Sequence, residues 1–176
     1  VYHQEGQLRV PPTANWLYAF LEDALAPILP DDAFTAFHPK TWLIRYRPKD
    51  EDGPPLYRLL VLSRNLTFER SWDVAASFEG PPGSKVIPGN KPLVDVHRWL
   101  HAQRPIAGAT ELFEELARVS FDCPEHFDEL LFHPVGIPGH QRNPVATQKS
   151  NRTVVISPFL HPQALQTIRK NTAKRF

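Results

Sequence analysis

Two runs suited to extended chain, with a stretch broken by proline and glycine between them, constrain this sequence more than any other feature. Lys40-Thr41-Trp42-Leu43-Ile44-Arg45-Tyr46 and Tyr57-Arg58-Leu59-Leu60-Val61-Leu62-Ser63 are rich in β-branched, aliphatic and aromatic residues, and Pro48, Gly53, Pro54 and Pro55 punctuate the interval. They predict two neighbouring strands. His38 and Lys40 stand at the head of the first, and Asn65 follows the end of the second. A histidine and a lysine two residues apart at the start of a strand share one face of the sheet, and an asparagine just past the partner strand can converge on them.

Imidazole, ammonium and carboxamide together suit a tetrahedral anion. A neutral imidazole attacks phosphorus or carries a proton near physiological pH, because its unperturbed pKa is about 6.5. Lys40 supplies a fixed charge for the non-bridging oxygens, and the Asn65 amide donates a directional hydrogen bond to the same group. Such a site requires no metal. The pattern H-x-K by itself also occurs by chance in many chains, where it is a strand-end histidine beside a solvated lysine, with the asparagine as a turn former.

The stretch from Phe37 to Gly80 resembles the phospholipase D superfamily, in which each half-site carries H-x-K, a strand, and then a small residue and an asparagine. Ser63-Arg64-Asn65 matches the S-x-N core, and Asn65-Leu66 with Trp72-Asp73 looks most like the tyrosyl-DNA phosphodiesterase branch. Leu62 replaces the glycine usual before the serine, and Arg45 stands where other branches carry an aspartate, a departure that the tyrosyl-DNA phosphodiesterase branch shares. The resemblance implies a cofactor-free phosphodiesterase acting in two steps. One histidine forms a phosphohistidine, and a second protonates the leaving oxygen and then activates water. It makes His38 the nucleophile, with Lys40 and Asn65 stabilising the transition state. Ser63 is a supporting donor or a backbone cap, Asp73 or Glu79 an orienting carboxylate or a solvated residue, and Arg45 and Arg64 are phosphate contacts. A nucleic-acid phosphodiester is the expected substrate. A noncatalytic nucleic-acid-binding or scaffold module with a worn site, and a phospholipid phosphodiesterase, are the alternatives.

A second H-x-K is absent: His3, His97, His101, His126, His133, His140 and His161 have no lysine two positions on. The second half-site is therefore expected either from a chain continuing past Phe176, which we favour, or from a homodimer partner. Residues 1–120 are expected to form a phospholipase D-like half-domain, and 121–176 a connecting region and the start of a second half. Thr153 to Ser157 reads as a strand, Pro162 to Asn171 as a helix, and Ala173 to Phe176 as the entry to another strand. His97 and His101 share a helix face at metal-ligand spacing, yet no carboxylate motif accompanies them, and a packed or solvated face is the expectation.

A formal net charge of +1 carries no message about a polyanionic partner, so charge is read locally. Arg45, Arg47, Lys49, Arg58, Arg64 and Arg70 gather around the candidate site, as do Arg169, Lys170, Lys174 and Arg175 near the end. They suit a phosphate backbone or a guarded edge strand equally well. Trp16, Trp42, Trp72 and Trp99 either stack on bases or fill the core. A lone Cys123 forms no internal disulfide, excludes a cysteine-rich metal site and reads as a small buried residue. No apolar run approaches the roughly 20 residues of a membrane span. A cytoplasmic protein with no membrane partner is expected.

Remaining periodicities predict a strand over Gln7 to Val10 and an amphipathic helix from Trp16 ending before Pro27. A short helix near Phe68 to Trp72, a third strand over Asp73 to Phe78 and a loop through Pro81 to Gly89 follow. Helices are predicted across Leu93 to Leu100 and from Thr110, as N-cap, to Val119. Leu130 to Phe132 reads as a strand, and Gly136 to Asn151 as loop. The expected fold is α/β, a mixed sheet flanked by helices as in a phospholipase D-like sandwich.

Overall fold

Alternation along the second extended run decides which face of the sheet is buried. The computed structural model describes residues 1–8, 13, 15–30, 35–49, 53–64, 70–141, 143–157 and 161–173. They belong to two compact units, Val1–Leu131 and Phe132–Phe176. In the first, β1 (Tyr2–Gln4) pairs in parallel with β2 (Ala26–Ile28). Three further strands, β3 (Thr41–Tyr46), β4 (Leu56–Leu62) and β5 (Ala75–Gly80), form an antiparallel sheet with β4 at its centre. Two helices, α1 (Lys91–Gln103) and α2 (Ala109–Leu116), follow. The architecture is α/β, with parallel and antiparallel pairing flanked by helices.

Register places Arg45, Tyr57 and Gly80 abreast, then Leu43, Leu59 and Phe78. Tyr57 and Leu59 are 0% and 1% exposed, and Phe113 and Leu116 of α2 are buried as well. Burying each such side chain contributes about 1.5–3 kcal/mol. The opposite face carries Trp42, Arg58 and Glu79. At the outer edge of β5, the Ser120 N–H donates to the Pro81 carbonyl (3.1 Å) and the Asp122 N–H to the Glu79 carbonyl (2.7 Å). Residues 118–122 thus cover an edge that would otherwise offer unpaired backbone groups. Asn90, buried, closes the end of α2 by donating from Nδ2 to the carbonyls of Leu116 (3.0 Å) and Val119 (2.8 Å).

Several local expectations are corrected. The first strand is Tyr2–Gln4, not Gln7 to Val10; a turn through Gly6 ends it, and residues 9 and 10 lie outside those described. Trp16–Ala24 is a 3-10 segment whose residues are all exposed, capped by Asn15 Oδ1 accepting the Leu17 N–H at 3.0 Å. Helix α2 starts one residue before Thr110, behind Gly108 in the left-handed region at φ 71°. Of the short helix near Phe68 to Trp72, residues 70–72 have no regular structure and 68–69 are not described. Trp16, Trp42 and Trp72 are exposed, and Cys123 is exposed rather than buried. Leu130 to Phe132 forms no strand.

The second unit holds α3 (Pro144–Thr147), within the expected loop, and α4 (Pro162–Lys170), which begins and ends where proline and asparagine predict. Thr153 to Ser157 is not a strand: Val154 and Ile156 are 71% and 93% exposed, and β propensity without a neighbouring strand makes no ladder. Instead Ser150 bridges to Thr172, and the hydroxyls of Ser150, Thr153 and Thr172 bond one another. Residues 174–176, with the expected strand entry and Lys174 and Arg175, lie outside those described. No helix among the described residues is long and apolar enough to cross a membrane.

Candidate functional site

The backbone fixes His38 from one side and Lys40 from the other. Phe37 donates its N–H to Gln4 Oε1 (3.0 Å), tying this segment to β1, and its ring lies 6.0 Å from that of Trp99 on α1. Lys40 extends the β3–β4 ladder, its carbonyl accepting the Leu62 N–H at 2.8 Å. Between these anchors, Lys40 Nζ sits 2.9 Å from His38 Nδ1, 3.3 Å from Nε2 and 3.4 Å from the His38 carbonyl oxygen, so the ammonium lies against the ring within reach of both nitrogens. His38 is exposed and Lys40 half-buried, leaving the pair open to an incoming anion.

Parity sorts the other candidates. Lys40 stands opposite Leu62, so Ser63 belongs to the other face of the sheet. There Ser63 ends the ladder: its N–H donates to the Val74 carbonyl (2.9 Å), its Oγ accepts the Val74 N–H (3.0 Å), and its hydroxyl donates to the Asp73 carboxylate. Ser63 is thus a strand-end cap with Asp73 as its acceptor, which is why β5 begins at Ala75 rather than Asp73. Arg64, next in the chain, lies beyond the end of β4. Asn65 lies outside the described residues.

Two candidates are placed elsewhere. Glu79 is paired across the strands with Arg58, itself level with Ile44. That level lies three residues into β3, whereas His38 precedes the strand by three, and the partner of Glu79 is Arg58. Arg45 lies on the buried face. Its Nε donates to Glu115 Oε2 (2.6 Å), and its second amino group to Glu115 Oε1 (2.8 Å) and Glu111 Oε1 (2.9 Å), while Tyr57 donates its hydroxyl to Glu115. Arg45 therefore fastens α2 to the sheet, its guanidinium committed to the two carboxylates. The pairing of Arg45 with Tyr57 was implicit in two adjacent strands, but nothing in the sequence named Glu115 as their partner.

This clasp sets an acid limit on stability. Arg45 holds the Glu115 carboxyl below its ordinary value, with burial opposing and the Tyr57 hydroxyl assisting. A depressed carboxylate stabilises the fold above its unfolded pKa and loses that contribution as pH falls through the folded value. Glu115→Gln is expected to cost about 2 kcal/mol at pH 7, the worth of partly buried charged hydrogen bonds. The deficit should shrink as pH falls below the ordinary carboxylate range and through the folded value. Urea unfolding of both proteins at neutral and at progressively lower pH measures it; a deficit unchanged at low pH contradicts the clasp.

His97 and His101 face packing, not a shared ligand. His97 Nδ1 donates to the Leu93 carbonyl at 2.8 Å, burial lowers its pKa, and His101 Nδ1 accepts the Ile106 N–H at 3.1 Å. Among the described residues no three histidine, cysteine or acidic side chains gather as metal ligands would. His3 joins His38 on the wall of a groove of about 490 Å3, a neighbour that the search for H-x-K passed over. No family model, curated protein or solved structure matches the chain.

Proposed function

We propose that the chain carries one half-site of a metal-independent phosphodiesterase acting on nucleic acid through a phosphohistidine at His38. The observation that carries this is the contact between Lys40 Nζ and the exposed His38 ring in the segment leading into β3. In this reading Lys40 turns from the ring to the non-bridging oxygens as the phosphodiester binds, which frees the ring lone pair for attack. Parity adds support for the substrate class: Trp42, 48% exposed, shares a face with Lys40, whose ammonium touches the His38 ring, and an aromatic ring there can stack on a base.

In the first step the lone pair of a His38 ring nitrogen forms a bond to phosphorus, and the bond from phosphorus to the leaving oxygen breaks with its electron pair. A second histidine, from a continuation of the chain or from a second copy, delivers the proton that a poor leaving group needs, then takes one from water as water displaces His38. Bis(p-nitrophenyl) phosphate avoids that requirement, because nitrophenolate leaves as a stable anion. With it, this chain alone is expected to release up to one equivalent of nitrophenolate in a burst, with or without EDTA. Stopped-flow absorbance reads the amplitude. No burst, or one that EDTA removes, contradicts the proposal.

A further inference from the structure

Building on that phosphodiesterase reading, we infer that the groove beside His38 is a subsite for one unstacked nucleobase of a single-stranded nucleic acid. Its lining includes Tyr2, His3, Gln4, Gln7 and Phe37 along with His38. At about 490 Å3 it lies within the roughly 300–1,000 Å3 of small-molecule sites and admits one nucleoside.

Chemistry selects a base over a phosphate or an acyl chain. Among the described residues, the lining side chains include no carboxylate, ammonium or guanidinium. The amides and the imidazole offer donors and acceptors that an acyl chain would leave unpaired. Gln4 Oε1 is committed to the Phe37 N–H, which leaves its two amide hydrogens as donors. His3 Nδ1 donates to the Gln4 carbonyl at 3.0 Å, which leaves Nε2 as an acceptor. Gln7 provides both kinds of group. The aromatic residues are already fixed before any ligand arrives: the Tyr2 hydroxyl donates to the Arg104 carbonyl at 2.9 Å, and Phe37 packs on Trp99. Rigid aromatic walls with donors and an acceptor between them suit a base edge, at little cost in ordering. Lys40 beside the groove mouth then receives the adjoining phosphate. A base stacked and paired inside a duplex cannot enter, so the substrate is single-stranded or a frayed end.

Fluorescence anisotropy with labelled hexanucleotides tests this. The wild-type chain is expected to bind the single strand at least fivefold more tightly than a strand of abasic residues, and more tightly than the duplex, the range of one base contact. His3→Ala with Gln7→Ala should remove the preference for bases while leaving the nitrophenolate burst intact. The wild-type burst reports the His38 site separately, so its absence would count against the phosphodiesterase reading and not against the groove, whereas its loss in the double variant alone would place His3 or Gln7 in the chemistry and overturn their assignment to base binding. Equal binding of abasic and normal strands, or an unchanged preference in the double variant, overturns the inference. So does binding of phosphatidylglycerol vesicles that the same substitutions abolish, which would assign the groove to a lipid headgroup.

Discussion

Replacing His38 by alanine is expected to lower the nitrophenolate burst from bis(p-nitrophenyl) phosphate below detection, a fall of roughly four orders of magnitude or more in rate, as for removal of other nucleophiles. His38 is exposed and neither fills the core nor joins the ladder, so the variant should melt with the wild type. Lys40→Met should be milder. Loss of one charge-stabilising donor typically costs about 10²–10³ in rate, and the burst would survive with slower kinetics. Equal rates for all three proteins would exclude the pair from the chemistry.

Gly80→Ala is expected to have the largest effect on folding. A Cβ at Gly80 would lie 1.9 Å from the Ser120 carbonyl oxygen and 2.6 Å from its carbon. Both are backbone atoms and cannot rotate away. The covering segment must leave the β5 edge, which forfeits the hydrogen bonds to Pro81 and Glu79 and strains the packing around Tyr57. Overpacking with two lost bonds amounts to about 3–5 kcal/mol, or a drop in Tm of roughly 10 °C or more. Gly83→Ala is the control, since its Cβ would meet the Arg118 carbonyl oxygen at an ordinary 3.6 Å. Thermal melts of the two variants should separate them widely; a Gly80→Ala protein melting with the wild type would contradict the close approach.

Strands β3 and β4 were legible in the sequence because their runs are apolar, β-branched and bounded by proline and glycine. The two-residue spacing suggested that His38 and Lys40 lie together, and their side chains do meet, although His38 stands before the strand. What escaped was long-range in sequence. Glu115 is 70 residues from Arg45, and only the fold makes it the anion that Arg45 meets in place of a phosphate. Ser63 and Asp73 were legible as polar residues near a strand end, but their bond to each other depends on where β5 begins. Thr153 to Ser157 misled for a related reason, since a β-branched run becomes a strand only beside another. His3 has no lysine two positions on, and its link to His38 runs through Gln4 and Phe37, which only the fold brings together.

The most direct measurement is to locate the covalent adduct. After a single turnover of bis(p-nitrophenyl) phosphate in EDTA, quenched at alkaline pH to preserve the phosphorus–nitrogen bond, tandem mass spectrometry of the digested chain is expected to find nitrophenyl phosphate on His38. Modification of Lys40, Ser63 or another histidine instead, or an unmodified chain after the burst, would contradict the account.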